Sequence, residues 1–168
     1  MSIPRSQWTR ALAVLPEKVI ASLAADSRAD YELFQKSLPQ EGLGLFRMID
    51  GARQDHFYLG EIPLTCAHIE LRSPGGDGYS GAAQIMNVTP DHAVALAVCD
   101  AVLAHRLPGW QTMYDLVVSG MEILKRREQV RSAMVQRTRV NFSQLEQMEA
   151  LDENSTGPAA ADPAENIP

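Results

Sequence analysis

The spacing of apolar residues predicts two short helices at the start of the chain. Apolar side chains recur there at steps of three and four residues, which is the period of a helix. The residues with this spacing are Trp8, Leu12, Leu15, Val19, Ile20 and Leu23. Pro16 does not fit inside a helix, so we expect one helix to end near Leu15 and the next to begin at Pro16 or Glu17.

Residues 31–86 have a different pattern, in which short apolar runs alternate with turn residues. This pattern is typical of an antiparallel β-meander. Five strands are predicted, over residues 31–37, 43–49, 55–60, 64–71 and 79–86. Asp50 and Gly51 predict a hairpin between two of them, because Gly accepts the positive φ that such turns require.

The fourth predicted strand alternates between apolar and polar positions. Its two sets are Thr65, Ala67, Ile69 and Leu71 on one side, and Cys66, His68 and Glu70 on the other. Successive side chains of a strand point to opposite faces of the sheet, so the first face should be buried. The second face should be polar, or covered by something polar.

A long central helix is predicted to follow Thr89, which can cap its free amide groups, and to end near Arg106. Pro90 and Asp91 suit a first helical turn. Asp100 is the only polar residue between Ala93 and Ala104. A helix that is apolar nearly all round must be covered, so we expect it between the sheet and either other helices or another subunit.

Pro108 and Gly109 end that helix, and a new helical stripe begins at Met113 and reaches Leu124. Residues 138–142 then alternate as an extended segment does, and Ser143 with Glu146 forms a capping box for a last helix through Leu151. One unbroken helix is the alternative. These elements predict a single α+β domain over residues 1–151, with a β-meander of about five strands packed against N-terminal, central and C-terminal helices.

Composition separates a tail from this body. Residues 152–168 hold four acidic and no basic residues and are rich in Ala and Pro, so we expect a disordered acidic tail. The longest apolar run, residues 93–99, is far shorter than the roughly 20 residues of a membrane span. The five-residue run at 11–15 is too short for a secretory signal. A cytoplasmic protein without membrane contact is therefore expected.

A basic segment at residues 125–139 contrasts with the net charge of −6, since it has six basic residues and a single acidic one. If the segment is helical, Arg127 and Arg131 share a face and could bind nucleic acid as a regulator does. The net negative charge of the chain and the lack of interleaved aromatic residues in this segment favour a solvated or partner-facing surface instead.

Motifs that carry chemistry are scarce. The segment GDGYSG, residues 76–81, formally matches a dinucleotide fingerprint, but a strand follows it where a helix is needed, so it predicts a hairpin turn. Cys66 and Cys99 form no CxxC pair and are expected as core thiols. Cys66 and His68 could supply only two metal ligands, so no metal site is expected. No catalytic motif is recognised either, so no catalytic residue is expected.

Several segments, in their order and spacing, resemble the PhnG family, the G subunit of the bacterial carbon–phosphorus lyase core complex. The resemblance runs from about Gln7 to Phe142. The segments that carry it are QW at residue 7, ADYE at 29, EGLGLFR at 41, FYLGEIPLT at 57, GYS at 78, HA at 92, CDAVL at 99 and TRVNF at 138.

The resemblance implies an accessory subunit that assembles with the H, I and J subunits, chiefly with I. The I subunit would transfer the ribose triphosphate moiety of ATP to a phosphonate and release adenine. ATP and phosphonate would be substrates of the complex, with no cofactor in this subunit. Partner-binding residues are expected at Thr65, Gly60, Glu61, Arg137, Arg139, Val140 and Phe142.

The chain departs from the family pattern in three places, one of which is its closing segment, where Asn141, Phe142 and Ser143 replace Asp-Phe-Phe. Cys66 stands where the family usually has Arg, and QIMNVTPD replaces Gly-Arg-Asp before the Ala-rich helix. Arginine is suited to bidentate phosphate contacts, so these departures weigh against direct phosphate binding by this subunit. The alternatives are a free-standing enzyme that uses Cys66, His68 and Glu70, and the nucleic-acid regulator.

Overall fold

A computed structural model of the chain describes residues 3–137. The elements are α1 (Arg5–Leu12), α2 (Glu17–Ser27), β1 (Glu32–Ile49), β2 (His56–Arg72), β3 (Gly78–Met86), α3 (Pro90–His105) and α4 (Trp110–Arg137). The strands form one antiparallel sheet in the order β1-β2-β3. The α+β class and the two N-terminal helices, separated by Pro16, are thus confirmed.

The described residues form three long strands, and the prediction of five short ones was wrong. β1 takes in the predicted strands at 31–37 and 43–49 except for residue 31, and β2 takes in those at 55–60 and 64–71 except for residue 55. Both predicted breaks contain a proline. Pro39 lies in an edge strand, where the pairing with β2 shifts between Ser37 and Gln40, so no regular ladder bond is lost.

Pro63 is accommodated in β2 for a related reason. Its carbonyl accepts a hydrogen bond from the Asn87 amide at 3.3 Å, just after β3 has ended opposite Leu64. The N–H and C=O of one strand residue point to the same side, so the N–H that proline lacks would have faced a position with no partner strand. β2 can therefore continue through Pro63 without a vacant ladder position.

Two turns connect the strands. The predicted hairpin at Asp50 is confirmed, with the Asp50 amide donating to the Asp55 carbonyl at 2.9 Å. The positive φ of this turn falls at Gln54 (59°), and Gly51 does not adopt it. The hairpin interpretation of GDGYSG is also confirmed, since Gly76 has φ 93° and β3 begins at Gly78.

α3 lies at the centre of the core. Thr89 caps it as predicted, its side chain accepting from the His92 amide at 3.3 Å. One side of α3 packs on β2 and β3, and α1 and α2 pack against it as well. The apolar surface of α3 is therefore covered by the sheet and by helices of the same chain. Of the two predicted alternatives, other helices or another subunit, the structure shows the first.

α4 confirms the helix predicted from Met113 to Leu124. The described residues divide into two units, one that ends at Glu128 and one that begins at Gln129. In the second unit the structure describes only the last turns of α4, where Val130 and Met134 are exposed. The extended segment at 138–142, the last helix and the acidic tail at 152–168 lie outside the described residues. The extent of the domain, 1–151, stays a prediction.

Candidate functional site

The predicted polar face lies on β2 opposite the face that packs against α3. Ala67, Ile69 and Leu71 are buried, as predicted, and the residues between them point to the open face of the sheet. In register beside Cys66, His68 and Glu70, β3 places Gln84, Ala82 and Ser80. The three candidate residues therefore share one face, with a largely polar neighbouring strand.

Glu70 is held by two cations on this face. Its Oε2 lies 2.6 Å from Lys36 Nζ, and its Oε1 lies 2.7 Å from Arg72 Nε. The hydrogen bonds from Lys36 and Arg72 lower the pKa of Glu70 from 4.5 to about 2. A carboxylate with so low a pKa is a poor proton acceptor at neutral pH, so Glu70 is unsuited to general-base catalysis.

The other two members of the polar face have separate environments. His68 Nε2 lies 3.2 Å from Ser80 Oγ. Cys66 is partly exposed, so the prediction of core thiols is right for Cys99 and wrong for Cys66. Within residues 3–137, no hydrogen bond links Cys66 to His68, and no three His, Cys, Asp or Glu side chains are placed to hold a metal. The face shows no linked nucleophile and base.

The predicted partner-binding residues have different positions. Thr65 is buried, and its Oγ1 donates to the Val88 carbonyl at 2.7 Å, so this side chain fixes the connection between β3 and α3. Gly60 and Glu61 are exposed on β2, and Arg137 is exposed at the end of the described part of α4. Arg139, Val140 and Phe142 lie outside the described residues.

Gly60 and Glu61 belong to a projecting hairpin that the sequence pattern did not predict. The register of β2 with β3 stops at Leu64, whereas its register with β1 continues to His56. Residues 42–49 of β1 and 56–63 of β2 thus form a two-stranded ribbon, here named the β-arm. Its large apolar side chains are between 39% and 65% exposed: Leu43, Leu45, Phe46, Met48, Ile49, Phe57, Tyr58 and Leu59.

A charged contact lies at the other edge of the sheet, beside β3. Asp100, the single polar residue of the apolar stretch of α3, is buried. Its Oδ1 accepts from Arg5 Nε at 3.0 Å, and its Oδ2 accepts from Arg5 Nη2 at 2.7 Å and from the Ala82 amide at 3.1 Å. The hydrogen bond to Asp100 raises the pKa of Arg5. The isolated acid in an apolar helix was the sequence signal for this contact.

A cleft of about 850 Å³ adjoins the Arg5–Asp100 pair and is also lined by Arg10 and Arg127. In the described part of the chain, neither of these two arginines forms an ion pair. Since Asp100 neutralises Arg5, the cleft has an excess of two positive charges. The described basic residues therefore present a surface that suits an anionic group.

The described residues form a small α+β protein that exposes eight large apolar side chains on a projecting ribbon and pairs the Glu70 carboxylate with two cations. Residues 3–147 match the family described as phosphonate metabolism protein PhnG, and the chain belongs to that family. The predicted resemblance is thereby confirmed, and the protein takes part in phosphonate metabolism. Family members are subunits of the carbon–phosphorus lyase complex, so the chain has protein partners.

No curated protein matches the sequence significantly. Among residues 3–137, no helix combines the length and the apolar character needed to cross a membrane.

Proposed function

We propose that the chain is an accessory subunit of the carbon–phosphorus lyase core in organic phosphonate catabolism. It supports the I subunit, which transfers the ribose triphosphate moiety of ATP to a phosphonate and releases adenine. The H and J subunits are further partners in the same assembly. The observation that carries the proposal is the family match over residues 3–147.

The chemistry of the polar face is consistent with an accessory role. The displacement joins a phosphonate oxygen to the ribose carbon that adenine leaves, so it needs a site that holds both substrates and stabilises the departing base. Both oxygens of Glu70 are engaged by Lys36 and Arg72, and Cys66 is not linked to His68. In this proposal ATP and phosphonate are substrates of the complex, and this subunit holds no cofactor. Because ATP is an intracellular substrate, the complex acts in the cytoplasm.

The decisive experiment is co-expression of the full chain with the I subunit of the same genome, followed by size-exclusion chromatography with light scattering. We expect a single joint peak whose mass contains both chains. Adenine release from ATP and methylphosphonate, with the remaining components of the complex present, should then require this chain. Separate peaks for two folded chains would contradict the proposal.

The C-terminal partner-binding residues are tested in the same assay. Arg139→Glu and Phe142→Ala should weaken the complex while leaving the isolated chain folded. Circular dichroism of each variant separates lost binding from lost folding. Arg137→Glu extends the test to the described part of α4, where this side chain is exposed. Unchanged binding by all three variants would exclude these positions from the interface.

The polar face offers a direct test against the enzyme alternative. A variant with Cys66, His68 and Glu70 all replaced by Ala should retain the adenine-releasing activity of the complex, provided that it still folds. Glu70→Gln and Cys66→Ser are milder controls for folding. Loss of activity in a folded, fully assembled complex would support the alternative in which these three residues are catalytic.

A further inference from the structure

The β-arm extends beyond the part of the sheet that helices and β3 support. Eight residues per strand at about 3.3 Å each give a ribbon of roughly 26 Å. An isolated two-stranded hairpin is at best marginally stable in water, since it cannot bury its side chains. Eight large apolar side chains on this arm are 39% to 65% exposed. Large exposed apolar surfaces on soluble proteins mark interaction sites, so this concentration of apolar side chains on one element indicates a docking surface.

Both faces of the β-arm carry large apolar side chains, and one face also carries Arg47 and Glu61. Alternation along β1 places Leu43, Leu45 and Ile49 on one face, and Phe46 and Met48 on the other. The cross-strand register adds an aromatic residue to each face, Tyr58 opposite Arg47 and Phe57 opposite Met48. A flat partner would cover only one of these faces. A ribbon with exposed apolar side chains on both faces fits an occupant that encloses it.

The backbone of the β-arm also needs a partner. Beyond Leu64, the side of β2 that β3 occupies elsewhere has no strand beside it in the described part of the chain. Glu61 is two residues from Pro63, whose carbonyl faces that side, so alternation directs the Glu61 N–H and C=O there as well. Burying such groups in an apolar environment without hydrogen bonds is costly. A protein can supply these hydrogen bonds with a strand of its own, whereas lipid cannot.

The net charge of the β-arm also limits the kind of partner that can bind it. Arg47 and Glu61 are the only formal charges in residues 42–49 and 56–63, and they cancel. A neutral, apolar surface has no electrostatic preference for nucleic acid or for an acidic partner. The chemistry that suits it is an apolar cleft whose wall includes a free strand edge.

We propose that the β-arm inserts into an apolar cleft of the I subunit and continues the line of β3 by pairing β2 with a strand of that subunit. The inference rests on the proposed function, since its occupant is the subunit with which this chain assembles. It assigns the interface to a defined element of the fold. Gly60 and Glu61, predicted from the sequence as partner-binding residues, lie within this element.

The test uses the full chain and the co-expressed I subunit, with dissociation constants measured for four proteins. Leu45→Asp and Leu59→Asp introduce a charge on the arm at side chains that are 62% and 63% exposed. Leu38→Asp is the matched control, because Leu38 is 75% exposed on the same strand β1 but lies outside the arm. We expect the two arm variants to bind about tenfold or more weakly than the unmodified chain, and the control within about threefold of it.

Hydrogen exchange of the same complex tests the strand pairing. Within residues 57–62, the backbone amides that face away from β1, Glu61 among them, should exchange more slowly in the complex than in the isolated chain. Amides of residues 64–72, which already pair on both sides, should change little. Unchanged exchange at 57–62 would overturn the pairing.

The outcomes separate this inference from the function on which it rests. If the unmodified chain and both arm variants bind equally well, the β-arm proposal is wrong and the proposed function stands. If the unmodified chain does not join the I subunit, the proposed function fails and the assigned occupant fails with it. If the isolated chain is a dimer that Leu45→Asp makes monomeric, a second copy covers the arm, and the proposal is overturned in favour of self-association.

Discussion

Arg5 and Asp100 join the first helix of the chain to its most buried one through two parallel hydrogen bonds, Nε to Oδ1 at 3.0 Å and Nη2 to Oδ2 at 2.7 Å. The same carboxylate also accepts from the Ala82 amide at the outer edge of β3. One buried side chain thus connects α1, α3 and β3. A carboxylate with three donors on its two oxygens satisfies a geometry that no neutral side chain reproduces.

Asp100→Asn should therefore destabilise the protein. An amide has one acceptor oxygen, and its NH₂ group would face a donor that the carboxylate now satisfies. We expect the free energy of unfolding to fall by about 1–3 kcal/mol, measured by urea denaturation at pH 7. Asp91→Asn on the same helix is the control, since Asp91 is exposed in the first turn, and it should cost no more than about 0.5 kcal/mol. Equal losses for the two variants would contradict this account of Asp100.

Gly81→Ala tests the close approach of β3 to α3. A Cβ on Gly81 would overlap the carbonyl oxygen of Ala97 and lie 2.7 Å from Ala101 Cβ. The helix and strand would have to separate, at a cost of about 3 kcal/mol in the free energy of unfolding. Gly42→Ala is the matched control, because Gly42 is also in a strand and a Cβ there meets nothing within 4 Å. Thermal unfolding measures the effect. Equal melting temperatures for Gly81→Ala and Gly42→Ala would contradict the close packing of β3 on α3.

The helices were predicted well because a boundary residue accompanies the apolar period of the sequence. Pro16, Thr89 and Gly109 each mark a helix boundary, and the structure places boundaries there. The predicted number of strands was wrong because a proline in a run of strand residues indicates a break. Pro39 and Pro63 interrupt nothing, since one lies on an edge strand and the other points to a side without a partner. Which side of a strand has a neighbour is a property of the sheet, and the local sequence does not contain it.

The candidate site was predicted only in part. Alternation correctly placed Cys66, His68 and Glu70 on one face, but it could not show that Lys36 approaches Glu70 across the strands. Alternation also correctly placed Thr65 on the buried face of β2. The β-arm was missed because its two strands were predicted as ordinary members of a meander. Their apolar residues at both odd and even positions were the available signal.

The ion pairs of Glu70 predict a pH dependence of stability. Its pKa is about 2 in the folded protein and has the ordinary value of 4.5 when unpaired. A depressed folded-state pKa contributes stability above about pH 4.5, and that contribution is lost as the pH falls towards 2. The unmodified chain should therefore exceed Glu70→Gln in stability at pH 7, and the difference should shrink between pH 5 and pH 2.

Urea unfolding of both proteins across that pH range measures the effect. Glu41→Gln is a suitable control, because Glu41 is exposed on β1 and forms no ion pair among the described residues. Its difference from the unmodified chain should stay small throughout. A stability difference for Glu70→Gln that is the same at pH 7 and pH 3 would show that Lys36 and Arg72 do not perturb this carboxyl group.

The two cysteines should differ in reactivity in the folded protein. Burial raises the pKa of the Cys99 thiol to about 12, so almost no thiolate exists at pH 8, and no reagent can reach it. Cys66 is partly exposed on the open face of the sheet. With iodoacetamide at pH 8, mass spectrometry should show one modification in the native protein and two in urea. Cys66→Ser should show none until it unfolds. Equal native labelling of both thiols would mean that α3 is not packed in the core as described, because Cys99 is reachable only if that helix separates from the sheet.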